Sequence, residues 1–202
     1  MKPEQHILNI ISTVTDPARI RNGQMRQVIS LNSYPEQMTF LLHEGTMAVY
    51  RSKDHLLMRY FEAPMIFGMN DLMDMTEGMF LKACGNIRYE IIPTKQFIEL
   101  VDSNNLWKEA AYTFMYVIKR FAQVHQTTAG LTTYELIKQN LATLMDEKED
   151  LRLTINASDY IQEKTHLSRS RVMKILSDLK IGGHIELQRG ILMKVNKLPE
   201  NY

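Results

Sequence analysis

The chain has 202 residues, of which 45% are hydrophobic and 23% charged, with 24 basic and 23 acidic residues and one cysteine, Cys84. It is long enough for one large domain or two modest ones to bury a core unaided. The single cysteine excludes an intrachain disulfide, a thiolate-held metal and an iron–sulfur cluster assembled from this chain.

Met1-Lys2-Pro3-Glu4 leads into no apolar stretch long enough for a signal peptide. The longest mainly apolar run, Ala110 to Ile118, falls far short of the ~20 residues of a spanning helix. The expected location is therefore cytoplasmic, with no membrane partner. From Met38 to Ile92 the hydrophobic residues come in short runs rather than helical stripes. Met38 to Leu42, Thr46 to Arg51, His55 to Phe61, Met65 to Phe67, Phe80 to Ala83 and Arg88 to Ile92 are predicted strands. Glu44-Gly45, Ser52-Lys53-Asp54, Glu62-Ala63-Pro64 and Gly85-Asn86 supply the turns between them. Many short strands so punctuated predict a small β-barrel or roll. Within it Cys84 reads either as a small buried apolar residue or as a redox sensor. Met65, Met69, Met73, Met75 and Met79 either fill the core or line an adaptable pocket for an apolar ligand.

After Pro93 the period changes. Thr94-Lys95-Gln96 opens a short helix, and Asp102-Ser103-Asn104 is placed to cap a longer one. On the longer helix Trp107, Ala111, Phe114, Ile118, Phe121 and His125 follow a 4-3-4-3-4 spacing and form one seam, with Ala110, Val117 and Val124 on the adjoining line. So wide an apolar stripe covers either two surfaces, its own β domain and a partner helix, or the interior of a monomer alone. Gln126-Thr127-Thr128-Ala129-Gly130 reads as the helix end and domain boundary. Thr132 and Glu135 read as a capping box for a following helix with Leu136, Ile137, Leu141, Leu144 and Met145 on its apolar face. The expected division is residues 1–101, 102–130 and 131–202.

The last segment is the most specific. Ala157 to Glu163 is a short helix and Thr165-His166-Leu167 a turn. Ser168 caps a second helix running to Lys180, with Val172, Ile175, Leu176 and Leu179 turned inward. Arg169, Ser170, Arg171 and Lys174 are left facing outward, as a helix entering a DNA major groove requires. Gly182-Gly183 stops this helix. Ile185 to Leu187 and Ile191 to Met193 then flank Gln188-Arg189-Gly190 as a two-stranded wing, with Arg189 set for a phosphate. From Lys164 to Lys197 eight basic residues face two acidic ones, the balance a phosphate-contacting surface needs. The alternative is a winged helix that contacts protein instead. No glycine-rich phosphate loop, no His-Glu-x-x-His and no Gly-x-Ser-x-Gly occurs, and Asp146 to Asp150 lacks the alternating ligands of a calcium loop. An enzyme is therefore not expected.

Leu167 to Leu176 resembles the recognition-helix signature of the Crp/Fnr family of bacterial transcription factors. His43 to Tyr50 is similar to that family's β-roll motif, and the Trp107 to His125 helix stands where the family has its dimer helix. Within the family, Asn105 to Ala110 and Asn196 to Tyr202 look like the enterobacterial subgroup named for inhibiting hydrogen peroxide resistance. The resemblance implies an α+β fold, with an N-terminal β-roll of the cyclic-nucleotide-binding type, a long dimerisation helix and a C-terminal winged helix-turn-helix. It implies a homodimer on inverted-repeat promoter sites in double-stranded DNA, RNA polymerase as a further partner, and stress or virulence genes as targets. Ser168, Arg169, Ser170, Arg171, Lys174 and Arg189 then contact DNA. Ser170 stands where many relatives carry an acidic residue and Lys174 where a second Arg is usual, so the preferred half-site differs from the standard one.

Cyclic-nucleotide-binding members hold the ligand with a Gly-Glu pair and, further on, an Arg beside a hydroxyl. Here the corresponding stretch reads Gly68-Met69 and then Glu77-Gly78-Met79. A carboxylate there repels phosphate, so no cyclic nucleotide and no other cofactor is expected, and the effector is unknown. The lone Cys84 excludes the Fnr type of oxygen sensing. His43 and His55 leave haem open, although a lone histidine is more often an ordinary surface or core residue.

Overall fold

The structure, a computed structural model, describes residues 2–69, 78–126, 130–200 and 202, with backbone alone at 123–126. The chain divides into two compact units, Met1–His125 and Gln126–Tyr202.

The first unit opens with helix α1 (Glu4–Val14), which the sequence reading does not anticipate. Its signal is short but present: Ile7, Ile10, Ile11 and Val14 recur at helical spacing, and all four are buried. Among the described residues eight strands follow: β1 (Arg21–Gly23), β2 (Val28–Ile29), β3 (Met38–Glu44), β4 (Thr46–Arg51), β5 (Leu57–Glu62), β6 (Met65–Phe67), β7 (Met79–Ala83) and β8 (Ile87–Pro93). They pair antiparallel into two four-stranded sheets, ordered β1-β8-β3-β6 and β2-β7-β4-β5. Facing side chains such as Phe40, Met47, Phe61, Met65, Ile66 and Leu81 fill the core of this roll. Gly45 makes the β3–β4 turn at φ +91°, where a Cβ would stand 2.5 Å from the Asn86 carbonyl oxygen, so only glycine fits.

Two expectations are corrected by the structure, and one pair of alternatives is decided for the described residues. The strand expected from His55 starts at Leu57, because His55 lies in the preceding turn with φ 58°. Met65 and Met69 are buried and Met79 packs against the core, which is the filling role; Met73, Met75 and Glu77 lie outside the described residues. Cys84 is half-buried rather than fully enclosed.

Helix α2 (Thr94–Ser103) and helix α3 (Trp107–Gln126) complete the unit. Asp102 and Ser103 turn out to belong to α2, and Asn104 is its C-cap rather than a cap for α3. Asn105 takes φ 54° to reverse the chain, and the Leu106 carbonyl accepts from the Ala110 amide at 2.9 Å. Asp102 still serves the junction, since its carboxylate accepts from the Trp107 indole N–H at 2.8 Å.

The second unit is α4 (Thr133–Met145), α5 (Glu149–Arg152), α6 (Ala157–Thr165), α7 (Arg169–Ile181) and the hairpin β9 (Ile185–Gln188) and β10 (Ile191–Val195). The capping box is present: the Glu135 amide donates to the Thr132 hydroxyl at 3.3 Å and the Thr132 amide to the Glu135 carboxylate at 2.7 Å. Hydrogen bonds to the carboxylate from the Thr132 amide first, and then from the Thr132 hydroxyl, hold the Glu135 carboxyl below its usual range. Tyr134, Ile137, Leu141 and Leu144 of α4, Tyr160 and Ile161 of α6, and the inner face of α7 are all buried. Among the described residues no helix is long and apolar enough to cross a membrane.

Candidate nucleic-acid interface

Helices α6 and α7 meet at a turn made by His166, which ends α6 in the left-handed conformation at φ 57°. Asn156 starts α6 by accepting from the amides of Ser158 at 3.0 Å and Asp159 at 3.4 Å. Ser168 stands at the N-cap position of α7, and its carbonyl accepts from the Val172 amide at 3.1 Å. Its hydroxyl does not cap the helix as expected: it lies 3.3 Å from the Ser170 hydroxyl, and the two short side chains satisfy each other.

On α7, Val172, Ile175, Leu176 and Leu179 are buried. Arg169, Ser170, Arg171 and Lys174 are all exposed, together with Met173 on the same outward side. The helix is held by one face and free on the other, the arrangement a groove-reading helix needs. Arg169 has a weak partner that sequence reasoning missed, the Asp159 carboxylate on α6 at 3.8 Å. Both groups are well exposed, so the pair holds little energy and yields easily to another acceptor.

The wing turn is Arg189-Gly190. Both residues have positive φ, 51° and 85°, the geometry of a two-residue type I′ hairpin. The Gly190 carbonyl accepts from the Ala157 amide at 2.8 Å, and Asn156 bridges to Ile191, so the turn is fastened to the start of α6. The buried guanidinium of Arg152 donates to the Leu192 carbonyl and fixes β10 from the other side. Arg189 is thereby presented, exposed, at the tip of an anchored hairpin.

The expected helix seam divides on α3. Ala110 is buried, and Phe114, Val117 and Phe121 pack against the roll, with Phe121 5.9 Å from the Phe61 ring. Trp107 is half-exposed and tied to Asp102. Ala111, Met115, Ile118 and Ala122 form a second, exposed stripe at 4-3-4 spacing, Ile118 at 63% and Met115 at 56% exposure. The seam expected from spacing straddles the two lines: Phe114 and Phe121 turn to the roll, while Ala111 and Ile118 lie on the exposed stripe with Met115 and Ala122. The His125 side chain lies outside the described residues.

Comparison with known proteins agrees with this geometry. Residues 133–200 match the family described as winged helix-turn-helix DNA binding. The chain is 33% identical over 185 residues, 91% of its own length and 89% of the relative's, to the inhibitor of hydrogen peroxide resistance of Escherichia coli K12. Among solved structures it is similar to the c-di-GMP-responsive global regulator CLP of Xanthomonas campestris. The TM-score is 0.74 at 13% identity, over 96% of this chain and 100% of that one. A CRP/FNR-family regulator of Thermus thermophilus gives a TM-score of 0.61 at 17% identity, over 86% and 91% of the two chains.

Proposed function

The chain belongs to the family of bacterial inhibitors of hydrogen peroxide resistance, built on the Crp/Fnr fold, and on that premise we propose that it is a homodimer reading inverted-repeat promoter sites. It is a transcription regulator with a winged helix-turn-helix DNA-binding unit and not an enzyme. The observation that carries the proposal is the free outward face of α7, with Arg169, Ser170, Arg171 and Lys174, beside an anchored wing ending in Arg189. Arg169 reads a guanine through its planar fork. Ser170 and Ser168 adapt to base or phosphate, Lys174 and Arg171 add cations, and Arg189 holds the backbone.

Two such units are paired through the Ala111, Met115, Ile118 and Ala122 stripe of α3, and their half-sites lie about one helical turn apart. The regulator acts in the cytoplasm, with RNA polymerase as its further partner. Its target genes include those that set resistance to hydrogen peroxide, in keeping with the relative's name. Cyclic AMP is not its effector on this reading, because the stretch corresponding to the ribose and phosphate contacts of cyclic-nucleotide-binding members reads Gly68-Met69 and then Glu77-Gly78-Met79.

The test is a binding-site selection with the wild type and two variants. Arg169→Ala flattens the preference at one base position, a loss of about 1 to 3 kcal/mol of discrimination. Arg189→Ala weakens all sequences alike and lowers the salt slope by about one contact. Exchange of these two outcomes would mean that helix and wing have swapped roles. Absence of duplex binding at low salt would make the winged helix a protein-contact surface.

A further inference from the structure

The segment after the wing turns back to the recognition helix. The Asn196 amide donates to the His184 carbonyl and His184 Nδ1 to the Lys197 carbonyl, both at 2.8 Å, which aims the chain across the unit. The Pro199 carbonyl then accepts from the Tyr134 hydroxyl at 2.8 Å and from Lys138 Nζ at 3.0 Å. The Tyr202 ring stacks on Tyr134 at 5.4 Å, and its hydroxyl donates to the Asp178 carboxylate on α7.

Between this tail and the helices lies a cleft of about 520 Å³. Arg171 and Lys174 line it from α7, Glu200 and Tyr202 from the tail, and Thr132 and Thr133 from the start of α4. Two of the cations offered to DNA therefore share a cleft with a carboxylate and an aromatic ring belonging to the tail. A carboxylate beside them lowers the local attraction for phosphate, and the ring takes up room that a sugar–phosphate backbone needs. Leu198 and Pro199 are only half-buried, and Glu200 and Tyr202 are exposed. Hydrogen bonds and one ring stack hold the segment, with little buried area, so its release costs the core almost nothing.

We propose that the tail carrying Pro199, Glu200 and Tyr202 is an autoinhibitory strap, latched by Tyr202 on Asp178, that must lift before the Arg171–Lys174 edge accepts a DNA phosphate. The strap rests on the DNA-binding role of α7 argued above.

The test is fluorescence anisotropy of a labelled mixed-sequence duplex with the full chain and three variants, alongside their thermal unfolding midpoints. Tyr202→Phe removes the latch hydroxyl and keeps the ring. It is expected to tighten binding by roughly threefold to tenfold, the equivalent of one ordinary exposed hydrogen bond, with the unfolding midpoint lowered by no more than the loss of that one bond. Glu200→Gln is expected to tighten binding and steepen its salt dependence. Deletion of 198–202 should give the largest gain; if that variant does not fold, the two point variants decide. Binding by the wild type that is unchanged or weaker in Tyr202→Phe and Glu200→Gln overturns the strap and leaves the DNA-binding role standing. No binding by any form overturns both.

Discussion

Glu90 is a costly residue to bury in the first unit, a carboxylate fully enclosed on β8. Arg19 offsets it with Nε at 2.6 Å, the Asp16 amide adds a contact at 3.4 Å, and His43 Nε2 lies 3.6 Å away. Burial holds the His43 imidazole below its ordinary 6.5, outweighing the neighbouring Glu90 carboxylate, while Arg88 lowers it further and Glu44 raises it. Because the folded-state value is depressed, the unfolded chain binds the proton more readily. The stability this provides is present above the unfolded value and is lost as pH falls through the folded one. His43→Gln should therefore remove part of the stability loss expected on mild acidification, read as urea midpoints at neutral and mildly acidic pH. Midpoints that fall in parallel for wild type and variant would place the acid sensitivity elsewhere. None of this is legible in the sequence, where His43 and Glu90 stand on different strands and only the β3–β8 pairing brings them together.

At the level of elements, the wing depends on one glycine. Gly190 has φ +85°, and a Cβ there would lie 2.2 Å from the Asn156 side chain that starts α6. Gly190→Ala thus meets strain and collision together, and should cost about 1 to 3 kcal/mol. Because Asn156 is displaced, the loss should reach α6 as well as the hairpin. Hydrogen exchange at the Ser158 and Asp159 amides checks this; protection unchanged there would show that the turn and the helix start are independent. The wing, the capping box and the buried stripe of α7 are readable because each is written within a few consecutive residues. Helix α1 and the two short strands β1 and β2 are not. The strands are three and two residues long, too short to show a period, and the α1 stripe of Ile7, Ile10, Ile11 and Val14 is a single short one; all three are held by packing on distant parts of the unit.

For the whole molecule, the two stripes of α3 make separable predictions. Phe114 packs against the chain's own core, whereas Ile118 is 63% exposed. Ile118→Glu should leave the fold intact and yield monomers by sedimentation, since a carboxylate buried between two helices costs several kcal/mol while an exposed one costs little. Phe114→Glu should instead lower the unfolding midpoint of the subunit itself. A dimer that survives Ile118→Glu would mean that α3 does not pair the subunits through this stripe.

The sequence by itself determined the local grammar: a short-stranded roll, a long amphipathic helix, and a basic recognition helix followed by a wing. Each follows from periodicity and turn chemistry acting over a few residues. Tertiary structure alone decided which side of α3 faces the roll, because a wide apolar stripe has the same period whether it meets its own domain or a second copy. It also decided that the final residues fold back onto the recognition helix. The α3 facing and the returning tail turn on neighbours that close packing delivers from far along the chain, Phe61 to Phe121 and Asp178 to Tyr202, whereas the Ser168–Ser170 pair is a local choice between two hydroxyl partners.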